Sequence, residues 1–431
     1  MSGRLLISDV RLFDPGSGLD VSGRHVLVDD GVVADLNAPS EIAVDRRIAG
    51  GGRLLCPGFI DLRAHLGEPG FADRETIATG GAAAAAGGFT TVVTHPNTEP
   101  TTDRVEVVET IKARAREADH VEVLPAGTVS VERKGQRLAE FAKLRQCGCV
   151  LFTDGDRPIR DARLLRYALE TADDVGVVVA THSEDETLAH HAVMHEGRVS
   201  TRLGLMGAPG AAEQVGVARD LAIAELTGAR LHIAHITTAG SVDLIRQAKR
   251  RGARVTADAS PHYLLLTDEA LSGYDTAAKL WPPLRPASDV DAVVEGLADG
   301  TLDLVASDHE PRTPLEKNVE VDRAASGAVG FELVLAVLLT LVREGRLTLQ
   351  RALSLTTRAP SEVLGRTDLG RIAVGGPADL VLVDPESAWT VGPDALTSRS
   401  KNTPLTGMRL YGQTIATIRR GRVVFQRGAS S

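Results

Sequence analysis

Between residues 56 and 368, short apolar runs recur, each followed by a longer stretch of helical patterning; no other feature of the chain constrains its fold as tightly. The runs are Thr90–Thr94, Val121–Leu124, Val150–Thr153, Val175–Ala180, Arg230–Ala234, Arg254–Ala257 and Leu302–Ala306, and a strand ending near His65 makes eight. Strands covered by helices on both faces read as near-continuous apolar runs, and eight alternating with helices is the count of a (β/α)8 TIM-type barrel. A doubly wound open sheet satisfies the same alternation. No Gly-x-Gly-x-x-Gly opens a helix, however, and no phosphate loop is present, so the α/β barrel is the stronger reading. The Ala-rich stretch Gly80–Gly88 fits a tightly packed barrel helix. The chain ends read differently. Leu5–Ile7 and Val26–Val28, and near the other end Ala378–Val383 and Thr414–Ile418, have the pattern of small antiparallel strands punctuated by turns. The expected organisation is a barrel over residues 56–368 and a composite β-sandwich domain built from 1–55 plus 369–431.

A formal net charge of −9 without a long basic run argues against nucleic acid or an anionic membrane as partner. Three cysteines, Cys56, Cys147 and Cys149, are too few for a disulfide framework, and the Cys147/Cys149 pair reads as buried small residues. The N-terminus lacks a charged segment followed by an apolar stretch, and the longest apolar helical run, Phe331–Val342, is too short to cross a bilayer. A soluble, cytoplasmic protein is expected.

In a barrel of this kind, chemistry sits at the C-terminal ends of the strands. Those ends carry Arg63 and His65 on strand one, His95 to Thr98 on strand two, Asp154 on strand four, Thr181 to Asp185 on strand five, His235 on strand six and Asp308-His309 on strand eight. One such histidine is commonly a satisfied structural residue. His and Asp closing successive strands instead converge on the mouth, where a metal with N and O ligands would sit. His190, His191 and His195 are expected on an exposed helix face.

Pro57 to Gly70 resembles the first metal-binding segment of the class I dihydroorotases, zinc enzymes of the amidohydrolase superfamily. The resemblance continues through Gly87-Gly88-Phe89-Thr90-Thr91, Pro96-Asn97-Thr98, Phe152-Thr153-Asp154, Thr181-His182-Ser183-Glu184-Asp185 and Ser260 to Asp268. It extends further to Pro282-Pro283-Leu284-Arg285, Ala306-Ser307-Asp308-His309, Gly375 to Leu380 and Ser398-Arg399-Ser400-Lys401-Asn402-Thr403-Pro404. The related hydantoinases usually carry a lysine ligand where this chain has Asp154.

The resemblance implies a metal-activated hydroxide that opens a cyclic amide, with a strand-eight aspartate moving the proton. His65, Asp154, His182, His235 and Asp308 match the metal and proton positions, and Asn97 matches a residue that holds the substrate carboxylate. Four matched positions depart from the family. Arg63 replaces the first metal histidine, Gly67 the carboxylate-binding arginine, Trp281 an asparagine, and Arg312 the final histidine of Asp-His-x-Pro-His. A guanidinium has no free lone pair for a metal. Each charge-assisted bond lost from a buried carboxylate removes about 1.5–3 kcal/mol, so the losses together amount to roughly thousands-fold in transition-state binding.

Some dihydroorotase homologues without metal ligands serve as structural partners of aspartate transcarbamoylase. This pattern resembles theirs, which implies an inactive scaffold subunit for that enzyme, itself a homo-oligomer. Two alternatives stay open. One is an active dihydroorotase with one zinc on Asp154, His182 and His235, in which Arg312 clamps the carboxylate and Glu310 serves as acid or ligand. The other is a cyclic-amide hydrolase of different substrate. The scaffold reading implies that the site carries either that single zinc or none, and that Arg63 pairs with Asp308 or Asp61.

Overall fold

The computed structural model describes residues 3–428. Eight parallel strands run in chain order around one sheet: Phe59–Ala64, Phe89–Thr94, Glu122–Gly127, Leu151–Phe152, Val178–Thr181, Leu231–Ile233, Val255–Ala259 and Leu304–Val305. The eighth returns to the first through the Ala64/His309 bridge and the His65 N–H donating to His309 O at 2.8 Å. The expected (β/α)8 barrel is therefore present. Its strands are mostly apolar because the sheet is buried on both faces, and the polar residues they carry, Asp61, Arg63, His232 and Asp258 among them, are buried with it.

One polar residue pins the barrel's closing seam. Asp61 is fully buried and accepts from Ser307 N at 2.7 Å and Ser307 Oγ at 2.5 Å. Burial pushes its carboxyl up to about 7, against the opposing pull of the Ser307 bonds and Arg63. A folded-state pKa above the unfolded value means that the native state holds this proton more tightly. Asp61 therefore contributes stability below its unfolded pKa, and that contribution is lost as pH rises toward about 7. Asp61→Asn keeps an acceptor for Ser307 and cannot ionise. Its stability relative to the parent is expected to rise between pH 4 and pH 7, as measured by urea unfolding across that range; a pH-independent difference would refute the assignment.

The Ala-rich segment forms the helix Ile77–Gly87, capped by Thr76, whose hydroxyl accepts from Thr79 N. Small residues are required because the helix is wedged between the barrel and the sheet built from the chain ends. A Cβ on Gly87 would lie 2.4 Å from Phe331 O, and Thr417 Oγ1 from the other sheet donates to Ala85 O at 2.6 Å.

The chain ends form that second, mixed sheet, also of eight strands. Leu54–Pro57 lies parallel to Leu5–Asp14 on one side and antiparallel to Leu380–Thr390 on the other, so N- and C-terminal segments interlock. The sheet's far ends come together where Val33 N donates to Gly376 O and Gly421 N to Ala378 O. It thereby wraps an apolar core of its own that includes Ile7, Leu12, Val28, Leu55, Leu382 and Ile418. All three cysteines are free, with Cys56 and Cys149 buried and Cys147 half-buried. Among the described residues no helix is long and apolar enough to cross a membrane.

Candidate functional site

The barrel places the C-terminal ends of its strands around one mouth, and Arg63 occupies its centre. This guanidinium is 4% exposed and lies on the first strand. Its Nη2 donates to Asp258 Oδ1 at 2.9 Å and to Ser260 Oγ at 3.3 Å, and its Nε lies 3.0 Å from Asp308 Oδ1. Arg63 therefore ties strands one, seven and eight together. The expected pairing with Asp308 is present; that with Asp61 is not, because Asp61 turns both oxygens to Ser307 on the closing seam.

Asp258 is the partner that the sequence reading missed. It also accepts from His232 Nε2 at 2.9 Å and from His235 N at 2.7 Å. Burial pushes its carboxyl up, but Arg63 and His232 outweigh that and hold it below the usual range. Asp308 shifts the other way: burial and the neighbouring Asp258 raise it despite Arg63. Two carboxylates sharing one guanidinium are thus driven apart in acidity. The backbone is left-handed at both His235 (φ 42°) and Asp308 (φ 49°), which places strain at the ends of strands six and eight.

The remaining expected residues separate into smaller groups. His182 Nδ1 meets His235 Nε2 at 3.1 Å, and His182 Nε2 lies 3.3 Å from Glu184 Oε2. Trp281 Nε1 donates to that same Glu184 oxygen at 3.0 Å, so the indole and His182 share one carboxylate oxygen. Asp154 accepts from Ser130 N at 2.9 Å through one oxygen and from the Ser130 hydroxyl through the other. His65 packs against His95 with ring centroids 4.6 Å apart and the rings tilted by 53°, and its Nε2 lies 3.9 Å from Glu310. Burial, with His95 and Arg312 nearby, holds His65 well below its ordinary pKa; burial and Arg63 do the same to His235. Burial is the main cause in both cases, and the nearby charges add to it.

Arg312 is bonded to Glu310 and donates Nε to Ser326 O at 2.6 Å. It and Glu310 are thus committed to each other. Together with His65, Gly67 and Asn97 they line a mouth cavity of ≈ 20 Å³, room for about one water molecule. Gly67 has φ 68°, and a Cβ built on it would lie 1.9 Å from Glu75 O.

A catalytic zinc needs three protein ligands around an open position. The His182/His235 separation suits two ligands of one ion, but Asp154 is committed to Ser130 and Asp308 to Arg63. Among the described residues, no three His, Cys, Asp or Glu side chains converge as a ligand set. The donors as placed do not fit a metal, and the five expected ligands are not brought together.

His190, His191 and His195 do not share a helix. Asp185 Oδ1 accepts from Thr187 N and Leu188 N, closing a turn rather than starting a helix. His190 and His191 then lie exposed in a turn, whereas His195 enters a two-residue strand paired with Gly207–Ala208 and contacts Arg285 at 3.2 Å.

A family model described as dihydro-orotase-like matches residues 52–241. A dihydroorotase of Syntrophotalea carbinolica is 44% identical over 98% of this chain and 99% of its own length. A dihydroorotase of Anaeromyxobacter dehalogenans is 47% identical over 99% of each. Among solved structures, an L-hydantoinase (dihydropyrimidinase) from Arthrobacter aurescens superposes with a TM-score of 0.87 at 25% identity, covering 99% of this chain and 97% of that one.

Proposed function

The chain belongs to the dihydroorotase-like family of amidohydrolases, and from that premise we propose that it serves de novo pyrimidine biosynthesis as an inactive dihydroorotase, a scaffold subunit for aspartate transcarbamoylase in the cytoplasm. One observation carries the loss of activity: the Arg63 guanidinium lies between Asp258 and Asp308 at the centre of the mouth. It puts a fixed positive charge where the family holds a dication, and it engages the strand-eight carboxylate that the family uses to move the proton. The ≈ 20 Å³ mouth cavity and the Trp281 indole, tied to the Glu184 oxygen that faces His182, support the same reading.

The relatives' names favour a second reading, a working dihydroorotase whose site rearranges around one zinc on Asp154, His182 and His235. The two separate on a single preparation. Purified protein in zinc-supplemented buffer is expected to hold less than one zinc per chain and to leave dihydroorotate unhydrolysed. It is also expected to co-migrate with aspartate transcarbamoylase on size exclusion. Turnover in the ordinary enzymatic range of about 1–10³ s⁻¹ would overturn the inactive reading. Stoichiometric zinc without dihydroorotate turnover would point to another cyclic amide.

A further inference from the structure

The segment Ser398 to Pro404 resembles the family but has no part in the mouth chemistry described above. Its uncharged side chains anchor it to the mouth loops. Ser398 Oγ donates to Glu75 at 2.6 Å, Ser400 Oγ to Arg74 O at 2.8 Å, and Asn402 Nδ2 to Gly327 O at 3.0 Å. Arg399 and Lys401 stay exposed, on the wall of a cavity of ≈ 550 Å³. That volume falls within the range of small-molecule sites. The same cavity is also lined by Lys317, 6% exposed, and Arg312.

The charges on these walls are unevenly compensated. Arg312 is paired with Glu310. Lys317 donates instead to Thr276 O at 3.0 Å and Lys279 O at 3.3 Å, Arg399 to Ala72 O at 2.6 Å, and Lys401 to Leu396 O. Two carboxylates, Asp73 and Asp275, line the same cavity, and Asp275 Oδ1 is engaged by Ala277 N. Three cations that reach only backbone carbonyls thus share one cavity in a chain of net charge −9. Burial, with Arg312 and Lys279 adding to it against Glu310 and Asp275, pulls the Lys317 ammonium down to about 8. The three cations outnumber the two carboxylates on these walls, and a bound anion would add counter-charge.

We propose that this cavity binds a small phosphorylated molecule through its phosphoryl group, held by Arg399, Lys401 and Lys317. A phosphoryl group carries close to two charges at neutral pH and accepts several hydrogen bonds at once, which suits three cations lining one cavity better than a single carboxylate does. The site lies outside the mouth and does not depend on whether the barrel hydrolyses anything.

Isothermal titration of the full chain with inorganic pyrophosphate in chloride-poor buffer tests this. Saturable binding at one site per chain is expected, weakened about tenfold or more in Arg399→Ala/Lys401→Ala, since each charge-assisted bond contributes at least that factor. Both side chains are exposed, so the variant's melting temperature should match the parent's. Succinate is expected to bind much more weakly. Absence of saturable binding at millimolar pyrophosphate, undiminished affinity in the double variant, or equal affinity for succinate would each overturn the assignment.

Discussion

Arg63→Met is expected to lower the stability of the protein by about 3–5 kcal/mol, the range found when one partner of a buried ion pair is removed. Methionine is unbranched and replaces most of the apolar volume of arginine, so the loss should come mainly from charge rather than from a cavity. It leaves Asp258 with only His232 and the His235 N–H, in a site from which water is excluded. Asp308, already raised by burial, would take up a proton and relieve part of the cost. The sign of the pH dependence follows from Asp258. Its folded pKa is depressed in the parent, so its contribution is present above the unfolded value and lost as pH falls through the folded one. The destabilisation should therefore be larger at pH 7 than at pH 4. Adding Asp258→Asn to Arg63→Met should recover part of the loss, because the uncompensated charge is then gone. Urea unfolding of the parent and the two variants would show this. A loss below about 1 kcal/mol at pH 7, the size of an exposed ion pair, would mean that Arg63 does not hold the mouth together.

The same residue shows how far the sequence could be read. The barrel was legible because each of its eight strands is a predominantly apolar run, separated from the next by helical patterning; tertiary contacts only confirm that local signal. Arg63 was legible as a departure, but its partner was not. The apolar run of strand seven was ended at Ala257, one residue before Asp258, and an aspartate inside a strand gives no period-2 or apolar signal of its own. His232 was hidden for the same reason, lying within strand six with its ring turned into the barrel toward Asp258. Asp61 and Arg63 are two residues apart on one strand and so face the same way. Sequence spacing could not tell that Asp61 meets Ser307 at the closing seam while Arg63 reaches across to strand seven. The error at His190, His191 and His195 has a different origin. Those residues have helix-compatible spacing, but the turn held by Asp185 and the short strand pairing with Gly207–Ala208 override local propensity. Ser130 carried no signal, since only the folded chain brings its hydroxyl to Asp154.

Gly67→Arg, which would restore the family's carboxylate-binding side chain, is expected to cost more than about 3 kcal/mol and to yield little folded protein. Two independent terms add. The backbone at Gly67 is left-handed, which costs an L-residue roughly 1–2 kcal/mol. The new Cβ would also lie 1.9 Å from Glu75 O and 2.8 Å from Phe71 O, both backbone atoms that cannot swing aside as a side-chain tip would. Phe71 N donates to Gly67 O at 2.6 Å, so the turn closes on the residue being enlarged. Moving Glu75 would in turn disturb its bond with Ser398 Oγ and its approach to His309, 3.5 Å away. Asn97→Ala, in the wall of the same mouth cavity, has no such clash and should cost about 1 kcal/mol or less. Soluble yield and melting temperature of the two variants give the comparison directly. If Gly67→Arg melts with the parent, the loop can accept the family side chain and its loss is a one-residue event. If it fails as expected, the whole turn from Gly67 to Glu75 has been rebuilt around the absence of a side chain. Reverting Arg63, Gly67, Trp281 and Arg312 together would then fail at the backbone before any chemistry could be tested.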